Sequence, residues 1–162
     1  MKRVIVTALA VLASATAAFA TNGWDYQTGF SDVQSKKTFS GSINTVKVIV
    51  ANNGPQAGPR YQIILTVTRP DGSQVCAAGY PYLDGLGVNT HSEPIAFQVI
   101  FARPLKGHSE FAREQFVLSA DVKPYGADPS GDLNLQNNFN TKTITLMGNG
   151  LVTAACKKLM GE

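Results

Sequence analysis

The chain has 162 residues, of which 44% are hydrophobic and 15% are charged, and its 14 basic and 11 acidic residues leave a formal net charge of +3. This length suits one domain with a sizeable core and leaves little room for two. The small net charge does not favour nucleic acid or anionic lipid as a partner, so we expect no nucleic-acid binding.

The first 20 residues, MKRVIVTALAVLASATAAFA, have the pattern of a secretory signal peptide. Lys2 and Arg3 precede an apolar run that is shorter than the roughly 20 residues of a membrane-spanning helix, and the segment ends in Ala-Phe-Ala. We expect cleavage before Thr21, which removes two basic residues and lowers the net charge from +3 to +1. The mature protein is predicted to be periplasmic or secreted, with no membrane span.

Residues 21–37 are expected to form an N-terminal arm or an edge strand. Trp24, Tyr26 and Phe30 lie here among glycine and serine residues. Trp24 and Tyr26 are candidate binding residues, because clustered aromatic side chains offer a large amphipathic contact surface. The alternative is that they cover one end of the core.

From residue 38 to residue 147 the chain alternates apolar and polar residues, with the period of strands that bury one face. Turns rich in Gly, Pro, Asn and Asp separate these runs, and Pro-Asp-Gly at 70–72 predicts a hairpin. Many short strands with regular turns predict an all-β fold, an immunoglobulin-like antiparallel β-sandwich of about seven strands. The predicted core-facing residues are Val46, Val48, Val50, Tyr61, Ile63, Leu65, Val67, Ile95, Phe97, Val99, Phe101, Phe116, Leu118, Ala120, Val122, Ile144 and Leu146.

The segment from Ala78 to Gly87 is rich in glycine and carries Tyr80 and Tyr82 around a proline. Tyrosine offers a large amphipathic surface with few rotatable bonds, so we predict a contact loop with both tyrosines as candidate binding residues. The alternative is a crossover between the two sheets, with both rings lying on the edge of the core.

Cys76 and Cys156 are the two cysteines of the chain, and an even number in an exported protein predicts a disulfide. Such a bridge closes a loop of about 80 residues, for which the chain-entropy model gives roughly 4 to 5 kcal/mol. It would tether the C-terminal tail, residues 148–162, to the sandwich. We expect one or two helical turns in this tail.

The segment GDLNLQNNFNTKTITL, residues 131–146, concentrates Asp and Asn residues ahead of the last strand. Asp128, Asp132 and Asn134 are candidate metal ligands, since calcium takes about six to eight oxygen atoms, several of them from carboxylates. The segment has neither D-x-D-x-D spacing nor a glutamate, so we predict a structural turn in which Asx side chains cap backbone amides. No cofactor is predicted, and calcium is the alternative.

A catalytic function is not predicted. His91 and His108 flank one predicted strand and are expected near opposite ends of the sandwich, too far apart to share a metal ion. Ser92 and Glu93 adjoin His91, but adjacent residues of an extended chain point in different directions, and no G-x-S-x-G elbow is present. We therefore expect no enzymatic activity.

Four segments resemble the CARDB-like group of bacterial and archaeal immunoglobulin-like domains, a group named for a role in cell adhesion. They are VIVANNGPQAGP, YQIILTVTRPDG, FVLSADVKPYG and QNNFNTKTITL, and the similarity runs from about Thr38 to Met147. The resemblance implies an exported β-sandwich used for binding or spacing, without catalytic machinery. Family members often place acidic residues immediately before the paired asparagines, where this chain has Leu-Asn-Leu-Gln at 133–136, so the resemblance implies no calcium site here.

Together these features predict an exported, monomeric binding or adhesion module with an unidentified protein or glycan partner. Two other functions stay open: a pilus-like or envelope-assembly subunit that polymerises by strand addition, and a weak calcium-binding protein. Chaperone-assembled subunits typically lack their last strand, whereas residues 138–146 supply one here, and this favours the binding module.

Overall fold

The computed structural model describes residues 22–102, 113–148 and 154–159. Residues 1–20, the predicted signal peptide, and His108 lie outside the described residues. Across the described ranges no helix is long and apolar enough to cross a membrane. The elements are β1 (Tyr26–Thr38), β2 (Gly41–Asn52), β3 (Tyr61–Thr68), β4 (Gln74–Leu83), β5 (Thr90–His91), β6 (Ile95–Ala102), β7 (Arg113–Pro124), a short 3-10 helix (Pro129–Gly131), β8 (Phe139–Met147) and β9 (Ala154–Lys158).

The strands form two antiparallel sheets that enclose one core. One sheet has the order β1-β2-β6-β9, with β5 pairing the end of β2, and the other has the order β4-β3-β7-β8. The predicted all-β, immunoglobulin-like sandwich is therefore confirmed, with nine strands in the described residues instead of about seven. β5 has two residues and β9 has five, too few for apolar alternation to reveal them.

Along β2, β3, β6 and β7 the predicted core positions are buried and alternate with half-buried residues. All predicted core positions are buried except Ile144, which is half-buried because β8 is an edge strand. The Pro-Asp-Gly hairpin is also present. Arg69 N donates to Ser73 O at 2.9 Å, and Gly72 has φ +86°, the left-handed conformation that favours glycine in such a turn.

The predicted disulfide between Cys76 and Cys156 is confirmed, with Cα atoms 5.5 Å apart. Cys76 lies on β4 and Cys156 on β9, so the bridge joins the edge strands of the two sheets on one side of the sandwich. The expectation of helical turns in the tail is wrong for residues 154–158. These residues form β9 because they pair in register with the otherwise open edge of β6.

Polar side chains close the other side of the sandwich, where β1 and β8 meet. Asn140 Nδ2 donates to Thr28 O at 3.0 Å, and Thr28 N donates to Asn137 O at 3.2 Å. Deeper in the core, Asn44 Nδ2 donates to Met147 O and Asn44 Oδ1 accepts from Met147 N. These bonds tie the two sheets together.

The strand directions bring most loops to one end of the molecule. β1, β3, β6 and β8 begin there, and β2, β4 and β7 end there. We call this the loop end, and its connecting segments are residues 22–25, 53–60, 84–94 and 125–138. The opposite end carries the tight turns at 39–40 and 69–73, and we call it the hairpin end.

Candidate functional site

Two exposed tyrosines meet at the loop end, on the outer face of the sheet β4-β3-β7-β8. Tyr82 lies near the end of β4 and Tyr125 follows the end of β7, and both strands pair with β3, which lies between them. The ring centroids are 4.6 Å apart with an angle of 68° between the ring planes, an edge-to-face contact. The side chains are 52% and 51% exposed, so the pair forms an aromatic platform that is open to solvent.

A β-bulge and an unusual backbone conformation position the ring of Tyr82. The register between β3 and β4 shifts between Tyr61 and Ile63, which leaves Pro81 and Tyr82 opposite the single residue Gln62. Tyr82 has φ +53°, a left-handed conformation that costs a bulky residue about 1 to 2 kcal/mol. Bulges re-aim side chains, and such strain clusters at functional sites. Tyr82 thus presents an exposed aromatic ring from a backbone conformation that glycine adopts more readily.

Arg60, the residue before β3, forms hydrogen bonds with the backbones of both tyrosines. Its carbonyl oxygen accepts a hydrogen bond from Tyr125 N at 2.7 Å, and its guanidinium donates to Tyr82 O at 3.5 Å. Arg60 Nε also lies 3.7 Å from a carboxylate oxygen of Asp84, whose side chain is almost fully exposed. An ion pair this exposed stabilises the fold little. It does provide hydrogen-bond donors and acceptors beside the two rings.

The outer face continues from the tyrosine pair down β7 and across to β8. Lys123 Nζ lies 3.3 Å from a carboxylate oxygen of Asp121, and both residues alternate with buried ones along β7. Phe139 pairs with Asp121 across the ladder to β8, so it shares this outer face, and it is 52% exposed. We call the set Tyr82, Tyr125, Lys123, Asp121 and Phe139 the outer stripe.

The loop end carries most of the exposed large hydrophobic side chains of the described residues. Six of seven lie there, and the exception is Phe39, which is 92% exposed at the hairpin end. A concentration of exposed apolar surface at one end marks an interaction site more often than scattered single residues do. The six are Tyr82, Val88, Tyr125, Leu133, Leu135 and Phe139.

The structure separates the two tyrosines of the segment 78–87. The predicted loop is wrong as far as Leu83, because residues 74–83 form β4. Tyr80 is half-buried, and its ring packs edge-on against Phe97 at 6.2 Å, facing the core. Tyr82 alone points outward. The alternative of a ring on the core edge therefore describes Tyr80, whereas exposed Tyr82 stays a candidate binding residue.

The N-terminal aromatic residues lie against the core. Tyr26 is fully buried, and its hydroxyl donates to Pro59 O. Burial raises the pKa of Tyr26 to about 12, because the phenolate form would lose its hydration. Trp24 is half-buried above Gly131, where an added Cβ would come within 2.3 Å of the indole ring. Both residues therefore fit the alternative prediction, in which they cover one end of the core.

The candidate metal ligands hold turns of the loop end. Asp128 accepts from Ser130 N at 2.9 Å, and the hydrogen bonds from Ser130 hold the pKa of Asp128 below its usual value. Buried Asp132 accepts from Asn134 N at 3.1 Å and from Asn138 Nδ2 at 3.0 Å. In the parts of the chain that the structure describes, no three His, Cys, Asp or Glu side chains are grouped to hold a metal ion. These carboxylates accept hydrogen bonds from the chain's own amides, as in the predicted structural turn.

His91 lies on β5 at the loop end, exposed, with Nδ1 3.1 Å from the carbonyl oxygen of Ser92. Ser92 is engaged with the strand ladder, because its hydroxyl accepts from Val50 N at 3.1 Å. The Ser92 hydroxyl is therefore used in positioning β5 against β2.

No protein-family model matches the chain, and no curated protein matches it. Among solved structures, the chain is similar to a CARDB domain of a protein from Pyrococcus furiosus, whose crystal structure is of a complex with di-metal ions. The two share 13% sequence identity with a TM-score of 0.47, over 77% of this chain and 90% of that one. At 13% identity such a likeness concerns the fold alone, and the metal ions belong to the other protein.

Tyr125 and Phe139 are not among the binding residues predicted from the sequence, although the sequence holds one signal for Tyr125. Pro81-Tyr82 and Pro124-Tyr125 repeat the same dipeptide at the ends of two strands that flank β3. Phe139 has no comparable signal, since alternation on an edge strand does not separate an outward aromatic residue from an inward one.

Proposed function

We propose that the chain is an exported, non-catalytic immunoglobulin-like binding module that contacts its partner through the loop end. The observation that carries this proposal is the exposed tyrosine pair, held in place by a bulge and a positive φ at Tyr82. Loops on a rigid sandwich commonly carry recognition, because the scaffold tolerates their variation. The apolar character of the loop end supports the same assignment.

Two features support export. The segment 1–20 has the composition of a signal peptide, and the Cys76–Cys156 disulfide suits an oxidising compartment. Both features support a location in the periplasm or outside the cell.

The edge strands of the described residues support a monomeric module over a subunit that polymerises by strand addition. β1 has a bulge between Phe30 and Asp32, and β9 has five residues. β4 carries Pro81, and β8 carries Lys142, which is exposed although it pairs with buried Leu118. Bulges, short strands, prolines and inward charges are the devices that prevent edge-to-edge pairing.

The proposal is tested by expressing the full chain with export and using the purified protein to capture partners from envelope and culture-supernatant extracts. Three variants accompany the wild type: Tyr82→Ala, Tyr125→Ala and, as the matched control, Phe39→Ala at the hairpin end. We expect the two loop-end variants to lose the captured partner while Phe39→Ala retains it. Circular dichroism establishes that each variant is folded.

Capture that all three variants retain would place the contact surface elsewhere and overturn the proposal. Size-exclusion chromatography of the same samples tests the competing assembly function. A ladder of multimers would favour a polymerising subunit, whereas a monomer is the expected result.

A further inference from the structure

We infer that the outer stripe binds an extended, uncharged, β-linked oligosaccharide, an inference that rests on the proposed function and names its partner. The stripe presents aromatic rings at both ends, with Lys123 between them and Asp121 beside Phe139. This order of apolar and polar groups follows from the contacts of Tyr82 with Tyr125, of Lys123 with Asp121, and of Phe139 with β7.

The aromatic ends suit the flat faces of sugar rings. One face of a β-linked pyranose consists of C–H bonds with slight positive charge, and an aromatic face carries the negative part of its quadrupole. Edge-to-face packing orients Tyr82 and Tyr125 at a fixed angle, so the platform is ordered before a ligand arrives. Both rings are about half exposed, which leaves surface for a ligand.

The polar middle suits hydroxyl groups, which both donate and accept hydrogen bonds. Lys123 is balanced by Asp121 at 3.3 Å, and Arg60 beside the tyrosines is balanced by Asp84 at 3.7 Å. Neither pair leaves a net charge to attract a phosphate or carboxylate polymer. An uncharged ligand rich in hydroxyl groups is the chemistry that this rim complements.

The dimensions of the stripe suit an extended ligand. Tyr125 lies four residues beyond Asp121, and Phe139 is opposite Asp121 on the next strand. At a rise of about 3.3 Å per residue, the tyrosine pair and Phe139 are ~13 Å apart along the sheet and one strand spacing apart across it. One sugar ring cannot reach both, whereas an oligosaccharide of several rings can.

A peptide fits the stripe less well. The stripe lies on the face of the sheet, and its middle strand β7 is hydrogen-bonded on both sides, to β3 and to β8, so β7 has no backbone groups left for strand addition. A docking helix needs a continuous apolar groove, but charged Lys123 and Asp121 interrupt the apolar surface. A proline-rich peptide is the competing occupant that the experiment distinguishes.

The experiment measures binding of cellohexaose and chitohexaose, two neutral β-1,4-linked hexasaccharides, to the full exported chain by isothermal titration calorimetry. Cellobiose serves as the short probe and decaproline as the peptide probe. We expect Tyr82→Ala and Tyr125→Ala to weaken binding of at least one hexasaccharide tenfold or more. Phe139→Ala is expected to weaken hexasaccharide binding about threefold and to leave cellobiose binding unchanged, whereas Phe39→Ala changes neither.

Three results would overturn the inference. They are no heat with either hexasaccharide at millimolar concentration, equal binding by the Tyr82→Ala and wild-type proteins, or decaproline binding in place of the sugars. Partner capture from extracts then separates this failure from that of the proposed function. If capture still depends on Tyr82 and Tyr125, the module binds something other than a neutral glycan, and the proposed function stands.

Discussion

The buried pair Tyr26–Tyr61 and the exposed pair Tyr82–Tyr125 lie at the same end of the molecule, on opposite faces of the sheet that contains β3. Their geometries are alike, with ring centroids 5.1 Å apart at 54° in the buried pair and 4.6 Å apart at 68° in the exposed pair. Their surroundings differ, since Tyr26 and Tyr61 are at most 2% exposed and the other two are about half exposed.

The difference separates the residues that stabilise this end from the residues of its proposed recognition surface. The buried pair contributes apolar burial, and the Tyr26 hydroxyl donates to Pro59 O, which fixes the β2–β3 loop. The exposed pair buries less surface, and Tyr82 holds a strained backbone. Side chains that add little to stability and still hold a costly conformation are expected to act in binding.

The largest expected effect comes from truncating one ring of each pair. Tyr61→Ala should destabilise the protein by about 3 to 5 kcal/mol, because a cavity replaces a fully buried aromatic ring. Tyr125→Ala should cost about 0.5 to 1.5 kcal/mol, the value of an edge-to-face contact at the surface. Urea denaturation monitored by circular dichroism measures both free energies of unfolding.

Equal destabilisation by the two substitutions would contradict this comparison. It would show that Tyr125 contributes to stability as a core residue does. A change in the slope of unfolding free energy with urea would instead indicate an altered denatured state, so both midpoint and slope are compared.

The second expected effect is a loss of stability at alkaline pH that belongs to the buried pair. Burial raises the pKa of Tyr26 to about 12 and also raises the pKa of Tyr61, whereas in the unfolded chain both titrate near 10. The folded state therefore keeps its protons longer, and stability is complete below pH 10. It falls as pH rises from about 10 to 12, by roughly 2 to 3 kcal/mol for Tyr26.

Denaturation midpoints between pH 8 and pH 12 measure this slope. Tyr26→Phe should reduce it, while costing about 1 kcal/mol at pH 8 for the lost hydrogen bond to Pro59 O. A slope that Tyr26→Phe does not change would assign the alkaline transition to another group.

Alternation in the sequence predicts the burial of Tyr61 but not the exposure of Tyr82. Tyr61 begins a run of alternating apolar residues, so its inward direction follows from the strand period. The same period applied from inward-facing Tyr80 would turn Tyr82 inward as well. The bulge opposite Gln62 reverses that direction, and a bulge arises from pairing between strands that local sequence does not encode.

The disulfide could be predicted from composition alone, whereas strand β9 could not, because it forms only by pairing with another strand. Counting cysteines in a chain with a predicted signal peptide was sufficient to predict the Cys76–Cys156 bridge. The segment Ala154–Lys158 gave no strand signal, because its five residues become a strand only when β6 offers them an open edge. Long alternating runs were thus predictable, while short strands and re-aimed side chains depend on tertiary partners.

The smallest expected effect tests the strain at Tyr82 itself. In a Tyr125→Ala background, which removes the ring contact, Tyr82→Gly should raise the free energy of unfolding by about 1 kcal/mol, because glycine adopts a positive φ without steric cost. Tyr82→Ala in the same background should give no such gain, since alanine keeps the Cβ atom. Thermal and urea denaturation of these two double variants measure the difference between their free energies of unfolding. If glycine and alanine gave equal stability, the backbone at residue 82 would be unstrained, and the argument that it holds an exposed ring for binding would lose its energetic basis.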